Sequence, residues 1–166
     1  MIDSGKIFEK YLQNYRFRKV KKYLRGNVLD FGGNQGELKP FVTGNYLMVN
    51  YDRSPMYNKS FDTIVLLAVI EHIEVTDVYT IFSEFQKILT NDGIIFLSTP
   101  TPKSKFILES LAKINILDKQ NIEEHKHYWN KEDILNLAQK TGFKIDEYKK
   151  FQLGFNQYAI LKHTTT

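Results

Sequence analysis

The stretch Val28-Leu29-Asp30-Phe31-Gly32-Gly33-Asn34-Gln35-Gly36-Glu37-Leu38 sets a carboxylate two residues before a glycine-rich turn. Glycines after an apolar strand let the backbone take positive φ and approach a ligand closely, while a following helix offers its first amides. The spacing is not G-x-G-x-x-G, and an acid at the base of the turn suits a pyrophosphate poorly. A cationic or ammonium-bearing ligand suits it better. A second cluster, Glu123-Glu124-His125-Lys126-His127-Tyr128-Trp129, brings two imidazoles beside two carboxylates. His125 and His127 could take a proton from an acceptor, because imidazole titrates near neutral pH. Two histidines with neighbouring glutamates could also ligate a metal. The i, i+2 spacing then needs extended backbone, and no third ligand is identifiable, so no metal is assigned. The third reading is that this segment closes a pocket, with Tyr128 and Trp129 packed and the histidines hydrogen-bonded.

The elements that must position these groups follow from periodicity. A helix is expected over about 4–24 and a short strand at Asn27–Phe31 that ends in the Gly-rich turn. A short helix from about Gly36 to Val42 follows, closed by Gly44-Asn45. Tyr46–Tyr51 reads as a second strand. Thr63–Ala68 reads as one buried on both faces, as a central parallel strand should be. Val78, Ile81, Phe82, Phe85, Ile88 and Leu89 recur at helical spacing over Thr76–Leu89. Ile94–Ser98 is another buried strand. Helices near 103–117 and 131–140 precede two β-prone runs, Phe143–Phe151 and Gln157–Lys162, joined by a turn at Gly154.

Strands alternating with helices predict an α/β fold: a Rossmann-like, doubly wound, mostly parallel sheet that ends in an antiparallel hairpin at one edge. Ligands of such sheets sit beyond the carboxyl ends of the strands. Here that means the residues after 31, 51, 68 and 98.

Composition narrows the class. At 166 residues, one domain is expected, with an N-terminal helical segment over 1–25 and a core over 26–162. The longest apolar run, Ile64 to Ile70, is too short to span a bilayer. The first residues carry no signal-peptide pattern. With no cysteine, disulfide scaffolds, thiolate catalysis and zinc-thiolate sites are excluded, and a cytoplasmic location is the default expectation. The net charge of +4 is concentrated in Arg16–Arg25, which holds six basic residues and no acid. That run is either a patch for an anionic partner or the wet face of an amphipathic helix whose apolar side carries Ile7, Phe8, Tyr11, Leu12 and Tyr15.

In order along residues 26–162, these motifs resemble the class I S-adenosylmethionine-dependent methyltransferases, especially the small type 11 and type 23 families. Their first motif is close to V-L-D-x-G-x-G-x-G. Asp30, Gly32 and Gly36 match it, Gly33 precedes the middle position, and Asn34 stands where the middle glycine usually does. Asn is the non-glycine residue that best tolerates left-handed backbone. Phe61-Asp62-Thr63-Ile64-Val65 and Leu67-Ala68-Val69-Ile70-Glu71-His72-Ile73 look like the family's fourth strand and its E-H ending. Asp92–Pro100 looks like the fifth strand, and Thr141-Gly142-Phe143 like the entry to the sixth. The resemblance implies S-adenosylmethionine as cofactor, with Asp30, Gly32, Gly33, Asn34 and Gly36 under its methionine end. Leu67 and Ala68 would lie against it with their backbone, and His72 would organise the loop. An acid at the end of the second strand would hold the ribose hydroxyls. Asn50 aligns best with it, and Asp52, two residues on, carries the charge.

The family's third strand and its flanking helices are missing, since only Arg53–Ser60 separate that acid from the next strand. One wall of the adenine pocket would then fall to Pro55, Met56, Tyr57 or a second chain. The expected function is methyl transfer to a small-molecule or sugar-type acceptor, in cell-surface glycan biosynthesis, with His125 and His127 as candidate catalytic residues. Two alternatives stay open: an inactive methyltransferase-like binding or regulatory subunit, and an RNA-modifying enzyme that uses Arg16–Arg25. The Asn/Asp-Pro-Pro-aromatic motif of nucleic-acid amino-methyltransferases is missing from Leu66–His72. The oligomeric state is left undetermined.

Overall fold

The computed structural model describes residues 4–33, 35–50, 52–105 and 125–164. Its centre is β3 (Phe61–Leu67), where Thr63 to Leu66 are all buried. A strand buried on both faces needs neighbours on both edges and cover above and below. It pairs in parallel with β1 (Val28–Phe31) on one side and with β4 (Leu89–Pro100) on the other. β2 (Tyr46–Val49) pairs in parallel with β1. β5 (Phe143–Phe151) and β6 (Asn156–His163) form the expected antiparallel hairpin, with β6 antiparallel to β4. The order across the sheet is β2-β1-β3-β4-β6-β5.

Alternate residues along each strand supply opposite faces. Leu29, Ile64, Leu66, Ile95, Leu97, Ala159 and Leu161 face one layer, formed by α2 (Val75–Ile88) and α3 (Lys131–Lys140). Val28, Val65, Ile94, Phe96, Tyr158 and Ile160 face the other, where α1 (Ser4–Val20) and the turn after it contribute Tyr15, Phe17, Val20, Tyr23 and Leu24. α3 begins in a reciprocal capping box: Asn130 accepts from the Asp133 amide, and the Asp133 carboxylate accepts from the Asn130 amide.

Some boundaries move. α1 ends at Val20 and is followed by one tight turn, Lys21–Tyr23, in place of a helix reaching 24. The expected helix over Gly36–Val42 is a single turn, Lys39–Phe41, with Pro40 at its start. β4 begins directly after α2, at Leu89. Asn91-Asp92-Gly93 is absorbed as an irregularity, because Phe61 aligns with Leu89 while Thr63 aligns with Ile94. Most of the helix expected near 103–117 lies outside the described residues.

From β2 to β3 the described residues form only one short helical turn, Ser54–Met56, leaving β2 at the sheet edge. The missing third strand is therefore a feature of the fold. No helix among the described residues is long and apolar enough to cross a membrane.

Candidate active site

Beyond the carboxyl ends of β1 and β3 lies a cavity of about 170 Å³, lined by Gln13, Arg16, Asp30, Gly32, Gly33 and Ala68, together with Phe17, Glu37, Leu38 and Leu67. Five of the residues expected from the sequence thus meet here: Asp30, Gly32, Gly33, Leu67 and Ala68. The turn is tightly built. Gly32 has φ +78°, and a Cβ there would stand 2.6 Å from Val69 Cγ2. A Cβ on Gly33 would stand 2.2 Å from the Asp30 carboxylate. Both positions are closed to any side chain. Ala68 itself has φ +58°, a strained value for a residue with a Cβ, and its amide donates to Ser98 O at 2.9 Å.

Asp30 is 4% exposed and accepts from the Tyr46 hydroxyl at 2.6 Å. Burial pushes its carboxyl above the usual range, and the nearby Glu37 adds to this, while the Tyr46 bond pulls it back down. The same pairing, with burial, drives the Tyr46 hydroxyl up. α1 closes the cavity from the other layer: Gln13 donates to Glu37 at 2.6 Å, and Arg16 is half-buried in the lining. Asp30 and Arg16 give the cavity an acid and a guanidinium, which match the ammonium and carboxylate of an amino acid, and Glu37 is a second acid in the lining, held by Gln13.

The other expected residues sit elsewhere. Gly36 has φ +69° and faces Tyr46, its missing Cβ 3.6 Å from the hydroxyl, outside the cavity lining. Asn34 lies outside the described residues. Asn50 is exposed, and its carboxamide faces Gly33 O, to which its nitrogen donates at 3.2 Å when the amide is turned to satisfy both groups, tying the end of β2 to the Gly-rich turn. Asp52 is exposed and accepts from the Ser54 amide at 2.9 Å, and the Ser54 hydroxyl together with that amide holds its carboxyl below the usual range. Of the residues considered for the adenine wall, Met56 is fully buried in the core, whereas Pro55 and Tyr57 are exposed.

The two candidate histidines part company. His127 bonds Asp133 at 3.2 Å and stands edge-on to Trp129, so it braces the start of α3. His125 instead stands edge-on to His72, with ring centroids 4.7 Å apart, next to Glu71. The backbone amides of Lys126 and His127 both donate to Glu71 O, and the buried Trp129 donates its indole N–H to Ile70 O at 3.3 Å. Gln157 donates to Trp129 O. These bonds fix 125–130 as a strap across the end of β3. Desolvation, with His72 and Arg16 adding positive charge, lowers His125 to about 4, so the ring is neutral. Glu71 is 1% exposed and raised by burial to about 7, against the pull of its own backbone amide, Arg16 and Thr99. Glu71, Arg16, Gln13 and Glu37 are among the residues that the sequence reading left out of the site. Arg16 had a signal: it stands four after Leu12 and four before the fully buried Val20, on one helical row.

The Arg16–Arg25 run divides in the fold. Arg16 enters the cavity, Lys21 and Lys22 lie over the rings of Phe41 and Tyr23, and Arg25 donates to Asp92 O.

An open, doubly wound sheet with a Gly-rich turn and a buried acid at its switch point defines a small-ligand-binding α/β protein. The methyltransferase-domain family of type 23 matches residues 6–148, and the chain belongs to it, within the class I S-adenosylmethionine-dependent methyltransferases. Solved structures agree on the fold. The pyocyanin biosynthetic protein PhzM superposes with a TM-score of 0.68 at 13% identity, over 92% of this chain and 55% of that one. A methyltransferase from Bacteroides fragilis in complex with S-adenosylhomocysteine gives 0.64 at 15% identity, over 90% and 77%. The mitomycin 7-O-methyltransferase MmcR gives 0.63 at 11%, over 84% and 49%. The chain thus spans about half the length of MmcR and PhzM. Among curated protein sequences none matches significantly.

The residues present fit the amino-acid end of S-adenosylmethionine: a glycine floor that admits no Cβ, an acid for the ammonium group and a guanidinium for the carboxylate. At about 170 Å³ the cavity is smaller than the roughly 300–1,000 Å³ typical of drug-sized pockets.

Proposed function

We propose that this chain transfers a methyl group from S-adenosylmethionine to an oxygen of a small-molecule acceptor, with sugar hydroxyls included in that class. The observation that carries the reading is the cavity in which Asp30 and Arg16 flank Gly32 and Gly33. The cofactor, when bound, supplies an electrophilic methyl group. The chain's own residues align and enclose. Asp30 receives the ammonium group, Arg16 and Gln13 receive the carboxylate, and the strained Ala68 brings the end of β3 close to the ligand. In-line displacement depends mainly on such alignment, so a closed wall made by α1 is itself catalytic machinery. The likeness in fold to the mitomycin 7-O-methyltransferase MmcR supports oxygen as the acceptor atom and a small molecule as its bearer.

Titration calorimetry with S-adenosylhomocysteine tests the reading. Binding is expected, with thermal stabilisation of the protein, and Gly32→Ala and Asp30→Ala are expected to weaken it at least tenfold. No heat and no stabilisation at millimolar ligand would overturn it and leave a methyltransferase-like fold with another task. Transfer of labelled methyl to a panel of phenolic and sugar hydroxyls then identifies the acceptor.

A further inference from the structure

Beside the cavity stands a second group of side chains that cofactor binding does not use. Glu71 and His72 lie in the turn Ile70–His72 after β3, and His125 reaches them from the strap. One potential ligand atom from each lies within 4.8 Å of the others. Glu71 is buried, and Thr99 donates to its Oε2 at 3.0 Å, whereas its Oε1 has no hydrogen-bond partner among the described residues. The buried Nδ1 of His125 has none either. An unmatched buried carboxylate oxygen costs about 1–3 kcal/mol or more when the group is charged, and native folds seldom leave one without a purpose.

We propose that Glu71, His72 and His125 bind one divalent transition-metal ion, with Zn2+ or Mn2+ as the natural occupants. Two imidazoles favour borderline Zn2+ over Mg2+ and Ca2+, which take oxygen ligands, and the carboxylate with open positions for water also suits the harder Mn2+. Metal–ligand bonds of about 2.0–2.2 Å at tetrahedral angles hold ligand atoms about 3.3–3.6 Å apart, so atoms at the 4.8 Å limit close on an ion by movements of roughly 1.2–1.5 Å, within the reach of side-chain rotation. Three protein ligands leave positions open, the pattern of a site that also binds water or substrate. Thr99 then acts as the outer partner that orients Glu71. The strap bonds from Lys126 and His127 to Glu71 O hold the two ligand segments together before any ion arrives. Arg16 places positive charge near Glu71 and His125, which weakens the hold on a cation. The role of the ion, holding an oxygen of the acceptor beside the cavity, rests on the function proposed above. The site itself does not.

The full chain, stripped with a chelator, is titrated with ZnCl2, MnCl2 and MgCl2 by calorimetry, and Co2+ is used to report the ligand field by absorbance. One Zn2+ or Mn2+ per chain is expected, with Mg2+ at least tenfold weaker. Glu71→Gln, which keeps an acceptor for Thr99, and His125→Gln should each lower affinity at least tenfold and change the Co2+ spectrum. His127→Gln should leave both unaltered. No binding by the wild-type chain, or equal binding by all three variants, overturns the proposal. S-adenosylhomocysteine is titrated into the same metal-free protein. Binding of that ligand without any dication binding removes the metal site alone, and dication binding without it removes the methyltransferase reading alone.

Discussion

Gly32 packs its bare Cα against Val69, so closely that a Cβ would meet Val69 Cγ2 at 2.6 Å and Cγ1 at 2.8 Å. The Gly-rich turn after β1 and the loop after β3 are therefore one unit, and the cavity floor is only as wide as this contact permits. Gly32→Ala must both hold an alanine at φ +78° and displace Val69. The expected cost is about 2–4 kcal/mol, which for a chain of this length lowers Tm by roughly 5–15 °C. Gly154→Ala has a similar φ of +86° and nothing within 4 Å, so it should cost only about 1 kcal/mol. Thermal unfolding of the two variants separates overlap from backbone strain.

The Tyr46 hydroxyl is the bond that keeps Asp30 ionisable in a buried site. Removing it in Tyr46→Phe leaves desolvation unopposed, so the Asp30 carboxyl rises further. At neutral pH the loss is about 1–3 kcal/mol of stability. It shrinks as pH falls and Asp30 becomes protonated, since the neutral acid needs the bond less. Binding of S-adenosylhomocysteine should weaken on the acid side in both proteins, with the variant's midpoint at higher pH. Unchanged acid limbs would mean that Asp30 does not hold the ligand's ammonium group.

The sequence made the cavity floor legible because it is local. An apolar strand, a carboxylate and the adjacent Gly32 and Gly33 fix their own geometry, and the family resemblance brought Leu67 and Ala68 to the same place. The missing third strand was legible too, since eight residues, Arg53–Ser60, cannot carry a helix, a strand and another helix. The walls were not legible. Arg16 reads as one more cation in a basic run until α1 is laid on the sheet, and only its row with Leu12 and Val20 betrays it. His125 and His127 look equivalent at i, i+2. Their difference is made by Asp133 at the start of α3 and by Glu71 at the end of β3, partners from other elements. Glu71 was seen as a motif letter, but its burial comes from Thr99, Trp129 and the strap, which no local pattern specifies.

Arg16 supplies a test of which part of the cofactor this cavity receives. Arg16→Met keeps much of the side chain's length and apolar contact while removing the guanidinium. S-adenosylhomocysteine, which carries the amino-acid carboxylate, should lose at least tenfold in affinity. 5′-Methylthioadenosine, which lacks that end, should bind both proteins alike. A charge-assisted hydrogen bond of about 1.5–3 kcal/mol accounts for a loss of this size. Equal losses for both ligands would assign Arg16 to packing of α1 instead.

Glu147 joins the N-terminal layer to the sheet. Tyr23, just after α1, donates to its Oε2 at 2.7 Å, and Tyr158 of β6 donates to its Oε1 at 2.7 Å. Lys149 completes the set at 2.6 Å. These partners, Lys149 foremost, pull its carboxyl down to about 2. A carboxyl lower in the folded than in the unfolded chain contributes stability above the ordinary glutamate value near 4.5, and loses it as pH falls toward 2. Glu147→Gln should thus be less stable than the wild type at pH 7, and the two should converge as pH approaches 2. Denaturant unfolding across that range reads the difference directly. The variant also loosens the attachment of the segment that carries Gln13 and Arg16, so weaker binding of S-adenosylhomocysteine at neutral pH should accompany the loss. A stability difference that persisted undiminished at pH 2 would instead place the loss in the packing of Tyr23 and Tyr158, whose rings lie 6.5 Å apart.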